Sequence, residues 1–313
     1  MPPSDKSNGV RFVQVSDDRD GQRLDNFLSA QLKGLPRSAL YRIIRTGQVR
    51  INGKRCKPAS RLLAGDMVRI PPARTRKDNQ AIISDRVCQQ LRAAVLFESP
   101  DLLVVDKPSG MAVHSGSGLP WGLIDVVRQI KPGEYLELAH RLDRETSGCL
   151  VLARNGKSLS HLTRLFREGG VQKHYLCLLD GRMSEAVVEV DAPLKKVLTG
   201  AESEVVVSAE GKEALTRFRL LQAYANSSYA EAQLLTGRTH QIRVHALHLS
   251  MPLAGDAKYA GRESVEKWRD RGLQRTFLHA HCLKFEAVSG EELEFNSPLP
   301  GQLKAVLDGL ESR

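Results

Sequence analysis

Two domains of the α+β class are predicted for this chain of 313 residues: a small basic module with a hairpin sheet, then a larger domain on a mainly antiparallel mixed sheet. Three observations carry that expectation. Beyond residue 93, strand-like apolar runs outnumber helical ones and follow one another along the chain. The excess positive charge is confined to one stretch near the start. A tract rich in proline and charge, with no apolar period, separates that stretch from the rest. The expected boundaries are a flexible tail over 1–20, the basic module over 21–72, a linker over 73–92 and the larger domain over 93–313.

With 41% hydrophobic and 26% charged residues, the composition is that of a globular protein with a substantial core. No run of about 18 apolar residues is present, so no membrane-spanning helix is expected. Met1 to Val10 is polar and lacks the apolar centre of a secretory signal, which points to the cytoplasm. Five cysteines, Cys56, Cys88, Cys149, Cys177 and Cys282, are widely spaced in apolar or strand-like settings. Neither a disulfide framework nor a Cys-x-x-Cys metal pattern results, and structural thiols are expected.

The net charge of +10 matters because of its location. Between Gly21 and Pro72 stand eleven lysines and arginines against two acids, Asp25 and Asp66, leaving a net +1 for all the other residues. A charge so concentrated suits a module that meets a polyanion. Within it, Leu24, Phe27, Leu28 and Leu32 recur at helical spacing until Gly34 and Pro36 interrupt them. A second helix is expected from Ser38 as N-cap to Gly47, with Leu40, Ile43 and Ile44 inward and Arg37, Arg42 and Arg45 left for the polar side. Val49-Arg50-Ile51 then runs into Asn52-Gly53, a strong hairpin turn signal, and Met67 to Ile70 supplies another strand. Arg11 to Val15 adds a possible short strand ahead of the first helix.

The segments RLDNFL, PRSALYRIIRTGQVRING and LLAGDMVRIP resemble the S4 domain, a small RNA-binding module. That resemblance, with the charge, makes Arg23, Arg37, Ser38, Arg42, Arg45, Arg50, Asn52, Lys54 and Lys57 the expected RNA-facing residues.

In the larger domain, Ala93 to Phe97 and Leu102 to Val105 read as strands. The irregular loop Asp106-Lys107-Pro108-Ser109-Gly110-Met111-Ala112-Val113-His114 follows, with Lys107 and His114 placed to line a cleft. His140-Arg141-Leu142-Asp143-Arg144-Glu145-Thr146-Ser147-Gly148 brackets one acid with basic residues and leads into the buried-strand run Cys149 to Ala153. A helix is expected over Ser158 to Glu168 and a strand over Val171 to Leu179. Met183 to Glu213 is expected to hold a few short strands and a charged, Gly-containing stretch that forms a mobile loop. Strands at Leu215 to Ala223 and Ser228 to Leu235 precede a helix over His240 to Leu249, with Thr239 able to cap it. The turn Pro252 to Asp256, a charged stretch through Arg275, strands at Cys282 to Ala287 and Glu292 to Phe295, and a helix from Gln302 complete the chain.

A carboxylate on a tight loop at the mouth of a sheet suits a reacting group, and suits equally well a surface acid paired with neighbouring arginines. His-Arg-Leu-Asp has a kinase flavour, but no Gly-rich phosphate loop or Asp-Phe-Gly accompanies it. His240, His245 and His248 lack the His-Glu-x-x-His arrangement and a nearby acid, so no metal site is expected. A retaining glycosidase needs a second carboxylate, for which Glu145 is the near candidate, and that reading stays open on the residues alone.

The stretch HRLDRETSGCLVLAR, with KHY downstream, LTGRTHQIRVH further on, the earlier DKPSGMAVHSG loop and the later PLAGD turn, strongly resembles the RluA-type pseudouridine synthases. The resemblance implies an isomerisation of uridine to pseudouridine in 23S ribosomal RNA or a large-subunit assembly intermediate, by a monomer that needs no cofactor. It implies Asp143 as nucleophile, Arg243 as its charge partner, Tyr175 stacked on the base, and Arg141 in the space left by a flipped uridine. His140, Thr146, Lys107, His114, Lys173, Arg238, His240 and Gln241 are the further substrate-binding residues it suggests. The family pattern usually has alanine two residues after the tyrosine, where this chain has Cys177. A non-catalytic RNA-binding assembly factor of the same fold is the alternative; retention of Asp143, Tyr175 and Arg243 together favours the enzyme.

Overall fold

The computed structural model describes residues 9–32, 35, 37–72, 83–115, 119–199 and 202–310. The basic module is a four-stranded sheet with two helices packed on it. Its elements are β1 (Arg11–Gln14), α1 (Leu24–Gln31), α2 (Arg37–Arg45), β2 (Arg50–Ile51), β3 (Lys54–Arg55) and β4 (Met67–Ile70), with strand order β1-β4-β2-β3. Leu24, Phe27 and Leu28 of α1 meet Leu40 and Ile44 of α2, and both helices close on Val68 and Ile70 of the sheet and on Val49 just ahead of β2. Asn52 and Gly53 take φ of 49° and 78°, as a tight two-residue hairpin requires.

Two expectations about this end of the chain are corrected. Residues 11–20 are part of the module and not a tail: β1 pairs with β4 from Arg11↔Ile70 to Gln14↔Met67, and Val15 is buried in the core. The second helix starts at Arg37, so Ser38 lies inside it and is no N-cap.

The expected linker falls largely on residues 73–82, outside the described residues. Its end is helical: α3 (Asp85–Ala93) buries Cys88 and Leu91 in the core of the larger domain. Next come β5 (Val95–Glu98), β6 (Leu102–Lys107), α4 (Leu123–Ile130), β7 (Glu137–Leu138), β8 (Ser147–Ala153), α5 (Gly156–Glu168) and β9 (Gln172–Leu179). Then follow β10 (Val187–Asp191), β11 (Leu194–Thr199), β12 (Glu202–Val207), β13 (Leu215–Ala223), β14 (Ser228–Leu234) and α6 (Gln241–His248). The chain finishes with α7 (Gly261–Asp270), β15 (Leu278–Glu286), β16 (Glu292–Asn296) and α8 (Gly301–Asp308).

The large sheet has ten strands, ordered β10-β13-β14-β9-β15-β8-β6-β5, with β16 on β15 and β7 on β8. Every pairing is antiparallel except β8 with β15, so the mainly antiparallel mixed sheet is as expected. At that parallel joint Gly148 has φ 114°, and a Cβ there would stand 2.2 Å from the carbonyl oxygen of Ala280; only glycine lets the strands approach so closely. Period-two alternation divides β8 between layers. Leu150 and Leu152 pack with α3 and α4, whereas Cys149, Val151 and Ala153 pack with α5. Burial on both faces explains why this strand reads as a continuous apolar run.

Residues 183–213, expected to hold a few short strands and a mobile loop, carry three strands among the described residues, so the strands are as expected and more extensive than the loop. β10 joins the main sheet through β13, and β11 and β12 form their own hairpin with Val205 buried. Charged residues alternate with apolar ones there because one face is solvated. α4 and α7 have no counterpart in the sequence reading. Among the described residues no helix is long and apolar enough to cross a membrane.

Candidate active site

Asp143 sits on the loop between β7 and β8, at the edge where that strand begins. The loop is held from behind. Lys107, at the end of β6, has no solvent exposure and donates from Nζ to the carbonyls of Pro108 (2.9 Å), Met111 (2.8 Å) and Arg144 (3.1 Å). Ser109 Oγ donates to the carbonyl of Glu145 (2.7 Å), the Gly110 amide to that of Arg144 (2.9 Å), and Arg144 Nε back to that of Gly110 (3.0 Å). The amide of Thr146 closes the turn on the carbonyl of Asp143 at 3.2 Å. The DKPSG segment is therefore a clasp for the Asp143 loop. Lys107, expected in a substrate cleft, is corrected to an interior role, since a fully buried ammonium engaged by three carbonyls cannot reach a ligand. Burial, reinforced by the charge of Arg275, lowers its pKa to about 7.

Arg243 projects from α6, which begins after His240 in a left-handed conformation (φ 54°). Thr239 does not cap this helix; His240 occupies the N-cap position without a side-chain cap. The Arg243 guanidinium is fixed by Asp256, which has no solvent exposure: Nε donates to Oδ2 at 2.7 Å and Nη2 to Oδ1 at 2.6 Å. The ring of Tyr259 lies 4.9 Å from its central carbon. Its remaining nitrogen, Nη1, faces Asp143 Oδ2 at 3.6 Å, an ion pair longer than a hydrogen bond. Burial opposes the charge on Arg243, but Asp256 and then Asp143 outweigh it and raise the pKa. His240 Nε2 stands 3.8 Å from the same Asp143 oxygen, and its Nδ1 lies 2.7 Å from Tyr259 Oη. Burial lowers the pKa of His240 despite the attraction of Asp143.

These groups open onto a cleft of about 290 Å³ that is also lined by Arg141, Thr146, Lys173, Tyr175 and Arg238. Tyr175 comes from β9, at the register where it faces Ala232 of β14 and Ala280 of β15. Small residues on both sides leave its ring room at the cleft wall. Burial, and after it the charge of Asp143, push the Tyr175 phenol above its ordinary value. Lys173 is two residues away on the same strand face, 6% exposed, with its pKa lowered by burial.

Of the expected substrate-binding residues, His140, Arg141, Thr146, Lys173, Arg238, His240 and Gln241 line the cleft with Asp143, Tyr175 and Arg243. Two of them have their polar atoms committed elsewhere. His140 Nε2 accepts the Val151 amide at 3.0 Å and the ring stacks on Phe166 at 4.4 Å; burial pulls its pKa down to about 3, so it is a neutral strut. Gln241 Oε1 accepts from Thr236 Oγ1 and the Arg238 amide, while Nε2 donates to the Leu215 carbonyl and Thr216 Oγ1. Both therefore shape the cleft wall. His114 is exposed and does not line the cleft.

The sequence reading omitted Asp256 and Tyr259 from the site. Asp256 ends the PLAGD turn quoted for the resemblance, and a lone acid on a Gly turn was the available signal. His240 and the two histidines of α6 go to separate places: His240 to Asp143, His245 to Thr216 and the Ala192 carbonyl, and His248 to the surface. Glu145 faces away from the cleft, half-exposed near Arg144, so the paired carboxylates of a retaining glycosidase are not assembled.

On the basic module, Ser38, Arg42, Arg45, Lys54 and Lys57 are exposed. Three other expected RNA contacts are engaged internally. Arg23 grips Asp25 through Nε and Nη2 (3.0 and 2.7 Å), Arg50 donates to the Gly53 carbonyl, and Asn52 bridges Asp66 and the Met67 amide. Arg37 opens α2, and its side chain lies outside the described residues.

The family model for RNA pseudouridylate synthase matches residues 101–248, a span that runs from the turn before β6 to the end of α6 and so holds the Asp143, Tyr175 and Arg243 segments. The S4 domain model matches residues 22–68. The chain belongs to the RNA pseudouridine synthases that carry an S4 domain, and it is an enzyme of that class. It is 43% identical over 309 residues to ribosomal large subunit pseudouridine synthase C of Haemophilus influenzae, covering 97% of this chain and 96% of that one. With the protein of the same name from Escherichia coli strain K12 it shares 44% identity over 308 residues, covering 96% and 97%. Among solved structures, human RNA pseudouridylate synthase domain containing 4 superposes with a TM-score of 0.59 at 27% identity, over 72% of this chain and 95% of that one. Human RNA pseudouridylate synthase domain containing 1 gives 0.57 at 29% identity, over 70% and 88%.

Proposed function

We propose that this enzyme converts uridines of 23S ribosomal RNA, free or in a large-subunit assembly intermediate, to pseudouridine, with Asp143 as nucleophile and the target uridine flipped into the cleft. The observation that carries this reading is the pairing of Asp143 with an arginine that a second, buried aspartate immobilises. A carboxylate nucleophile must be ionised, and a fixed guanidinium nearby favours that state.

In this reading the Asp143 carboxylate attacks ribose C1′, forming an Asp143 O–C1′ bond as the bond between C1′ and uracil N1 breaks. The detached uracil anion rotates within the cleft, and its C5 attacks C1′, breaking the Asp143 O–C1′ bond and returning the carboxylate. The proton on C5 leaves and N1 gains one, so the reaction is balanced without oxidant or reductant. Tyr175 stacks on the base. Its buried, raised phenol is a poor base at neutral pH, which favours stacking over proton abstraction. Arg141, at the cleft mouth, takes the place left in the RNA, offsetting the few kcal/mol that unstacking costs.

Tritium release from ribosomal RNA labelled at uridine C5 tests the proposal. Wild-type enzyme is expected to release it, and Asp143→Ala to lose activity by at least about a thousandfold while still binding RNA. Release by Asp143→Ala at the wild-type rate would overturn the assignment.

A further inference from the structure

A second cavity, of about 530 Å³, lies on the other side of Arg243, and nothing in the proposed chemistry uses it. The two cavities share Arg243 as a wall, and the loop that presents Asp143 to the first presents Glu145 to the second. Arg243, Lys258, Arg269 and Arg275 line it, against the single carboxylate of Glu145. Glu145 is half-exposed and stands 3.8 Å from Arg144.

Arg275 is the informative residue. It is largely buried, and its hydrogen bonds all go to neutral acceptors: Nε to the Thr276 carbonyl (3.1 Å), Nη2 to Ser147 Oγ (2.9 Å) and to the Leu278 carbonyl (2.7 Å). Burial pulls its pKa down to about 10, against the opposing pull of the Glu145 and Asp106 carboxylates, neither of which accepts a hydrogen bond from it among those described. These bonds tie Arg275 to Ser147, at the start of β8, and so to the strand that follows the Asp143 loop. Arg269 projects from the last turn of α7 and is exposed at the cavity rim.

A nucleotide with its base in the first cleft has its sugar at Asp143 and a phosphate on each side of that sugar. A cationic cavity that shares the Arg243 side chain with the first is placed to receive one of them. We propose that the cavity walled by Arg269 and Arg275 binds a backbone phosphate of the RNA beside the target uridine. The inference rests on the proposed use of the first cleft for the uridine. It adds an anchor in the catalytic domain, apart from the basic module, that sets the sugar over Asp143.

The test measures RNA binding, not turnover, so it is separable from the assignment of Asp143. Full-length Asp143→Ala enzyme, alone and combined with Arg269→Gln or Arg275→Gln, is titrated with a substrate stem-loop from about 50 to 200 mM salt. The stem-loop carries a normal linkage or an uncharged methylphosphonate, on a 2′-deoxy nucleotide, at either side of the uridine. Each arginine substitution is expected to weaken binding about three- to tenfold and to reduce the salt slope by about one. A methylphosphonate at one of the two linkages is expected to weaken the parent equally and the Arg269→Gln protein much less. That coupling is what a direct contact produces. Arg275→Lys, which keeps the charge, is expected to retain the sensitivity to that linkage. If protein and RNA substitutions combine additively, or neither arginine changes affinity, the proposal is overturned. Additivity together with weakened binding would instead point to a general field effect or to a protein ligand for the cavity. Tritium release by the Asp143→Ala protein would remove the proposed mechanism without altering the binding outcome.

Discussion

Asp143 is one of two aspartates that share Arg243, and their environments divide the labour. Asp256 is fully buried and doubly hydrogen bonded to the guanidinium, whereas Asp143 is part-exposed and 3.6 Å away, free to move toward a substrate. Asp256→Asn leaves Arg243 buried with a weakened partner. We expect a loss of about 3 kcal/mol in unfolding free energy by urea titration, together with a fall in tritium release larger than the fall in RNA affinity. Lys107 yields a pH signature. Its folded pKa, about 7, lies below the usual lysine value of 10.5. Between those limits the unfolded chain holds a proton that the folded one has released, so the stability contributed by this site rises with pH across that window. The urea midpoint of the wild type is expected to rise from pH 7 to 9.5 relative to Lys107→Met, which has no such group; parallel curves would refute the assignment.

At the scale of elements, the parallel joint between β8 and β15 connects the Asp143 loop to the rest of the sheet. Gly148→Ala places a methyl carbon against the Ala280 carbonyl in a backbone conformation that alanine avoids. The expected cost is about 3 kcal/mol or more, seen as a lowered melting temperature with activity lost in proportion. This element was legible in part. The buried strand after the motif followed from its continuous apolar run, and α5 from its helical spacing. α4 was legible in principle, because Leu123, Ile124, Val126, Val127 and Ile130 recur at helical spacing behind Gly122, a signal the sequence reading passed over. α7 was hidden by its charge, since of its ten residues only Trp268 is fully buried. The extent of the strands of 187–207 was obscured in the same way, because a hairpin with one solvated face carries as many charges as a loop.

For the molecule as a whole, the basic module and the catalytic domain are in contact. Gln22 donates to Glu137 at 3.3 Å, and the Arg19 guanidinium lies 6.0 Å from the Tyr135 ring centre. The exposed cations Arg42, Arg45, Lys54 and Lys57 are separate from that contact, so they can be neutralised without disturbing it. Changing all four to glutamine is expected to flatten the salt dependence of RNA binding by about 3 in slope, at roughly 0.7 per single-strand phosphate contact. The melting temperature should stay the same. An unchanged slope would mean that the module does not carry the grip on RNA.

A basic module and an enzyme domain, the class of fold, and the three segments that hold Asp143, Tyr175 and Arg243 can all be read along the chain before any contact is known. Those are local properties: charge along the chain, period of the apolar residues, and motif identity. Which motif residues face the cleft emerges only from the packed fold. Lys107 and Asn52 belong to the same kinds of motif as Asp143 and Lys57, yet one is sealed behind the loop and the other locked in a turn. Polar side chains near a motif serve either the ligand or the backbone that presents it, and the choice depends on which carbonyls and amides the fold leaves without partners. Those partners lie more than 30 residues away for the Lys107–Arg144 bond, and they come from separate elements for the Asp143–Arg243–Asp256 chain. That information exists only once the sheet has closed.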